Sequence, residues 1–217
     1  MRLLNPPGVY RVQEDTDLLV ECLGREPIGA GDSVLDLGTG TGAVALAAAG
    51  TGARVTAIDI SWRALGTARL NSLLNRRWIR LRHGDLLEPV RGRRFDLVIS
   101  NPPYVPAAEG GGPPRGIARA WDAGRDGRAL VDRICRHAPT VLAKGGTLLM
   151  VHSSLCGVAQ TRAQLQRQGL AAEVVARRTI PFGPVMTGRA RWLEERGLVG
   201  FGQRVEELVV IRGVRTR

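Results

Sequence analysis

Short apolar runs of strand length alternate along the chain with stretches whose apolar residues recur at helical spacing. SVLDL (33–37) reads as a buried strand and AVALAAA (43–49) as the helix after it; RVTAI (54–58) and WRALGTARLNSLL (62–74) repeat that order. WIRLRH (78–83) and FDLVIS (95–100) read as two more strands, ALVDRICRHA (129–138) as a helix ending near Pro139, and GTLLMVH (146–152) as a strand. A helix over 157–168, stopped by Gly169, precedes strands at AEVVARR (172–178) and VEELVVIRG (205–213). This alternation predicts an α/β fold around a mostly parallel sheet covered on both faces. Such sheets bind ligands at the carboxyl ends of their strands, where the strand order reverses. Glycine- or proline-rich stretches follow strands at 38–42, 101–106 and 110–116, and EGGGPPRG (109–116) reads as a loop rather than a linker.

At 217 residues and 44% hydrophobic, the chain suits one domain with a real core. No run of 18 apolar residues argues for a membrane span, and MRLLNPPGVYRVQED lacks the apolar centre of a signal peptide, so a cytoplasmic protein is expected. Cys22, Cys135 and Cys156 form neither a disulfide framework nor a metal pattern, and His83, His137 and His152 are scattered. No metal is expected. The net charge is +11, with Lys144 the only lysine. Codon bias explains arginine over lysine but not the surplus over acids, which points to a partner rich in phosphate or acidic groups. Both readings stay open.

In VLDLGTGTGAVALA, Gly38, Gly40 and Gly42 fall between a strand and a helix, where glycine permits tight turning and close approach of a ligand. Asp59 ends the second strand, 17 residues after Gly42, placed to accept from ribose hydroxyls; Asp85, after the third, is placed to accept from an adenine amino group. Each aspartate alone would pass for a cap or turn residue. Their register after three successive strands argues for a nucleoside ligand. The fourth strand then runs into NPPY (101–104), whose prolines cannot continue a ladder.

The order VLDLGTGTG, VTAIDIS, GDLL, FDLVISNPPY resembles the class I S-adenosylmethionine-dependent methyltransferases. A dinucleotide site fits less well, because the glycines are spaced GxGxG and NPPY has no place in it. The resemblance implies a Rossmann-like, doubly wound, seven-stranded sheet with an antiparallel last strand. It also implies S-adenosyl-L-methionine as cofactor, contacted by Thr16, Asp36, Gly38, Thr39, Gly40, Gly42, Asp59, Ile60, Asp85, Leu86 and Asn101. In that family NPPY serves amino groups on a planar carbon: adenine, guanine or a glutamine amide. The chemistry suits it, since the Asn101 side-chain oxygen and the Pro102 carbonyl can accept the two hydrogens of such a nitrogen and aim its lone pair. Tyr104 can stack on the planar group. Asn101, Pro102 and Tyr104 are the expected catalytic residues, and Pro103, Tyr104 and Trp121 the expected substrate contacts.

Two stretches resemble the HemK-type protein glutamine methyltransferases. GVYRVQEDTDLLVECL (8–23) carries an acid–Thr pair, Asp15–Thr16, which there caps a helix over the cofactor. AWDAGRDGRALVDRI (120–134) is similar to their Trp-x-Gly-Gly-x-Asp-Gly loop, with Ala123 in a glycine position, and IPFGP (180–184) to their late substrate loop. The first strand begins near residue 33, as in the short branch without the bacterial helical domain; 1–32 is then a cofactor-covering segment and 33–217 the catalytic core. The short enzymes pair with a small zinc-binding activator along an edge strand. Here the expected edge, NRRWIRLRHG (75–84), holds Arg76, Arg77, Arg80 and Arg82, and charge there opposes pairing, so an acidic or RNA-containing partner is the more natural one. The expected activity is methyl transfer to nitrogen, foremost on a protein glutamine. A base in RNA or DNA, a small amine or amide, or cofactor binding without turnover are the alternatives. The basic residues spread along the whole chain with few aromatics among them, which favours the slender glutamine over a stacked base.

Overall fold

The computed structural model describes residues 1–108 and 116–216. Its elements run α1 (Glu14–Leu23), β1 (Ser33–Leu37), α2 (Ala43–Ala49), β2 (Arg54–Asp59), α3 (Trp62–Leu74), β3 (Ile79–His83), β4 (Phe95–Ser100), α4 (Ala129–His137), β5 (Leu142–Ser153), α5 (Val158–Arg167), β6 (Leu170–Pro181), α6 (Pro184–Glu195) and β7 (Val205–Arg215). The seven strands lie in the order β3-β2-β1-β4-β5-β7-β6. Strands β1 to β5 pair in parallel, and β7 runs antiparallel to both β5 and β6. The order reverses between β1 and β4, which sets a ligand crevice at their carboxyl ends.

Alternation along the strands divides the core. Leu35, Leu37, Val98, Leu148, Val209 and Ile211 pack with Val131 and Ile134 of α4 and Leu165 of α5. The intervening Val34, Leu97, Ile99, Leu149, Leu208 and Val210 pack with Leu18 and Leu19 of α1 and with Val44 and Leu46 of α2. The period of two thus sends one face to each helical layer.

Three departures from the sequence pattern have local causes. β5 begins at Leu142, ahead of Gly146, because a register shift against Phe95 and Leu97 accommodates the Gly145–Gly146 pair inside the strand. IPFGP is not wholly loop: Ile180 and Pro181 finish β6 and Pro184 begins α6. That helix was not foreseen, although its buried Met186, Ala190 and Leu193 fall at i, i+4 and i+7. The 109–116 loop lies, apart from Gly116, outside the described residues.

Past the tip of β4 the chain is held by a second segment. Val105 N–H donates to Trp121 at 2.8 Å, and Ala123 N–H returns a bond to Val105 at 3.0 Å. Gly127 makes this closeness achievable, with φ of +75° and a position where a Cβ would stand 2.2 Å from the Tyr104 carbonyl oxygen.

β1, the strand on one side of the reversal, carries a carboxyl. Asp36 is 1% exposed, and its Oδ2 accepts from Thr39 Oγ1 at 2.6 Å. Burial pushes this carboxyl up to about 7, and the nearby Asp59 adds to the effect. The unfolded chain releases the proton near the ordinary value of 3.8, so across the interval up to about 7 only the folded state holds it. Folding stability from this group is therefore complete below the lower value, declines as pH rises and levels off above the higher one. Asp36→Asn removes the decline. In urea unfolding at pH 5 and pH 7.5, the stability of the variant relative to the parent should increase at the higher pH by up to about 3 kcal/mol; an unchanged difference would show that Asp36 ionises normally.

Candidate active site

A cavity of about 1270 Å³ opens over the carboxyl ends of β1, β2 and β4. Its wall includes Thr16, Asp36, Gly38, Thr39, Gly40, Asp59, Ile60, Asp85, Leu86, Asn101, Pro102, Pro103, Tyr104 and Trp121, so nearly every residue singled out from the sequence meets in one place. Gly42 is the exception. It starts α2 with φ of +84°, and a Cβ there would lie 3.0 Å from Ala68 Cβ, so this glycine serves the packing of α2 on α3 rather than the cavity.

The glycine turn is built for a ligand's backbone approach. Gly38 and Gly40 have φ of +73° and +54°, and a Cβ at either would meet nothing within 4 Å. Open space therefore borders the turn. Asp59 closes one side: its Oδ2 accepts from Gly40 N–H at 2.9 Å and its Oδ1 from Ser61 N–H at 2.8 Å. Burial raises its pKa, and these backbone N–H groups oppose the rise. The carboxylate is thus fixed in direction with lone pairs to spare for hydroxyl donors. Ile60 is exposed toward the same space, and Leu86 holds a left-handed φ of +48°, a strained choice for a non-glycine residue. Asp85 sits at the rim with Oδ2 2.7 Å from Arg133. Two acids, an open glycine turn and an apolar patch fit an adenosyl group bearing an amino-acid tail.

The NPPY segment is tied to α1 through one carboxylate. Asp15, 3% exposed, accepts at Oδ2 from Tyr10 Oη at 2.7 Å and from Tyr104 Oη at 3.1 Å. Its Oδ1 accepts from Thr16 N–H at 2.6 Å and from Thr16 Oγ1 at 3.2 Å. Thr16 Oγ1 in turn accepts from Asn101 Nδ2 at 3.2 Å. The Asp15–Thr16 pair, expected to cap a helix, instead holds both ends of NPPY; α1 has no side-chain cap at its start. Burial raises the Tyr104 phenol well above its ordinary range, with Asp15 adding to it, so the hydroxyl stays a donor. Trp121 packs beside Tyr104 with Val105, Phe182 and Met186.

Among the cavity residues that the sequence reading did not single out are Tyr10, Trp62, Arg133 and Glu206. Trp62 stacks on His83 with ring centroids 4.1 Å apart. Glu206 left a legible sign, since strand alternation aligns it with the buried Leu208 and Val210, an odd place for an acid. Trp62 and Arg133 depend on contacts with distant segments, and Tyr10 on the Asp15 carboxylate five residues on. Cys22, Cys135 and Cys156 are buried free thiols, and burial lowers the pKa of His152 to about 4.

The chain matches the Methyltransferase small domain family over residues 1–110. It is 36% identical to a Methanocaldococcus jannaschii protein provisionally named a protein N5-glutamine methyltransferase, over 83% of this chain and 90% of that one. It is 38% identical to the release factor glutamine methyltransferase of Geobacter sulfurreducens over 66% of this chain and 53% of the relative, so it spans about half the length of that enzyme. Among solved structures, the E. cuniculi Mtq2–Trm112 complex, responsible for methylation of the eRF1 translation termination factor, shares the fold with a TM-score of 0.69 and 25% identity over 96% and 99% of the two chains. The T. thermophilus 16S rRNA N2 G1207 methyltransferase, solved with AdoMet and guanosine, aligns with a TM-score of 0.58 and 22% identity over 96% of this chain and 46% of that one. Fold, cavity and kinship agree: the chain belongs to the small-domain family of class I S-adenosylmethionine-dependent methyltransferases.

Proposed function

We propose that this enzyme methylates the side-chain amide of a glutamine in a protein substrate. The observation that carries the reading is the Asp15–Thr16–Asn101 relay. By engaging Asn101 Nδ2, Thr16 leaves Asn101 Oδ1 as the free acceptor beside the rigid Pro102 carbonyl. Two fixed acceptors match the two hydrogens of a planar amide nitrogen, aim its lone pair and stabilise the positive charge that develops on it. S-adenosylmethionine, when bound, supplies a methyl already activated by a sulfonium. Gly38, Gly40, Asp36, Asp59, Ile60, Asp85 and Leu86 would hold it. Tyr104, anchored on Asp15, is the platform for the planar amide, with Pro103 and Trp121 shaping the slot around it. Relatives named for release-factor and ribosomal-protein glutamines support the substrate class, with the cytoplasm as the natural place for such work.

The partner surface is best placed on the α3–β3 edge. Among the described residues β3 pairs only with β2, as expected of an edge strand. Alongside its arginines stand the exposed Leu70, Leu73, Leu74 and Trp78, with the Arg69 guanidinium 5.1 Å from the Trp78 ring centre. This apolar area makes a small activator protein, such as the one in the E. cuniculi complex, a fitting occupant despite the charge.

Incubated with S-adenosylmethionine, a peptide presenting Gly-Gly-Gln should gain one methyl on the glutamine side chain, located by fragmentation mass spectrometry. Label entering only RNA or DNA, in a salt-sensitive manner, would transfer the assignment to a base nitrogen. Asn101→Ala should lower kcat by at least about a hundredfold with cofactor affinity nearly intact. Thr16→Val, which leaves Asn101 in place but frees its amide to rotate, should lower kcat by about ten- to a hundredfold; wild-type turnover in both variants would dismiss the clamp.

A further inference from the structure

Two asparagines on the α3 side of the molecule hold the start of the chain. Asn75 Oδ1 accepts from Arg2 N–H at 3.0 Å, and its Nδ2 donates to the Arg2 carbonyl at 2.7 Å. One helical turn earlier, Asn71 engages Leu4 in the same way, at 2.7 and 3.1 Å. A side-chain amide presents a donor and an acceptor together, so it pairs with a main-chain residue as a neighbouring strand does. The spacing suits the task. Two residues of extended chain advance about 6.6 Å, and four residues of helix about 6 Å. Between the paired residues, Leu3 turns onto the core.

Asn71 has a second attachment. Its side chain is wholly buried, and Nδ2 also donates to the Thr41 carbonyl at 2.9 Å. Thr41 belongs to the glycine turn after β1 and lines the cavity. The amide oxygen and both amide hydrogens are thus used, which is what makes its burial tolerable. One side chain ties the start of the chain to the turn that faces the ligand.

The stretch between latch and α1 forms one side of the cavity. Every residue from Gly8 to Thr16 lines it, and among the described residues no helix or strand precedes Glu14. Gly8, with φ of +85°, lies against the Arg63 guanidinium, whose atoms a Cβ would meet at 3.3 Å. At its far end this wall is fixed by the bonds of Asp15 to Tyr104 and of Thr16 to Asn101. At its near end the two asparagines are the anchor, since an irregular segment keeps one conformation only where specific bonds offset its lost freedom.

Resting on the placing of S-adenosylmethionine in this cavity, we propose that Asn71 and Asn75 are positioning residues of the cofactor site. By latching residues 2–4 to α3 they hold the wall from Gly8 to Gln13 against the bound cofactor, and they set how slowly it leaves.

The test is the dissociation rate of S-adenosylhomocysteine from the intact protein, by stopped-flow displacement, with amide hydrogen exchange and urea unfolding on the same variants. Asn75→Ala should speed dissociation by about three- to tenfold, and Asn71→Ala, which also releases Thr41, by about ten- to a hundredfold. Exchange at Arg2 and Leu4 should accelerate in both. Leu165→Ala, a core substitution in α5 remote from the latch, should lower stability and leave the rate unchanged. Should Asn71→Ala not fold, Asn75→Ala decides. A parent-like dissociation rate in Asn75→Ala, or an equal increase in Leu165→Ala, overturns the latch. Unchanged affinity in Asp59→Ala, measured by calorimetry, overturns instead the placing of the cofactor.

Discussion

One carboxylate organises the site. Asp15 is buried and accepts four hydrogen bonds, from two tyrosine hydroxyls, its neighbour's N–H and its neighbour's hydroxyl. A buried charge survives only when its lone pairs are so occupied. The consequence is geometric. Tyr104 is held directly and Asn101 through Thr16, so two ends of a four-residue turn take their orientation from one point on α1. The prolines between them stiffen the span, and Gly127 lets the 120–128 segment brace it from behind.

Much of this was legible in the sequence because the relevant signals are local. The period of two in SVLDL and FDLVIS, the glycines after β1 and the acids after β2 and β3 depend on neighbours a few residues away, and these positions fell where they were expected. α6 was missed because arginines and Gly188 interrupt a helix whose buried face is only three residues wide. Gly42 shared its motif with Gly38 and Gly40, and only the packing of α2 against Ala68 separates their roles. Trp62 and Arg133 carry no periodic signal, since their significance comes from His83 and Asp85 on other segments, and Tyr10 acts through Asp15 from just ahead of α1.

The surplus of arginine also gains a structural outlet. Arg54, Arg77 and Arg94 each donate to a main-chain carbonyl, at loops or helix ends. Arg77, for example, reaches the Leu46 carbonyl of α2. A guanidinium used this way satisfies an orphan acceptor and needs no acidic partner, so a positive balance accumulates without a phosphate ligand to neutralise it. The exposed ion pairs, such as Arg91–Glu88 and Arg191–Glu195, add little to stability.

The tie between α1 and the tip of β4 spans a long stretch of chain: Thr16 and Asn101 are 85 residues apart, Asp15 and Tyr104 89. These contacts cross from one segment to another, so the clamp exists only while α1 is docked on the sheet. Loosening of the amino-terminal segment would free Asn101 and Tyr104 from their common anchor while the Asp59 bonds to Gly40 and Ser61, which do not involve α1, stay in place.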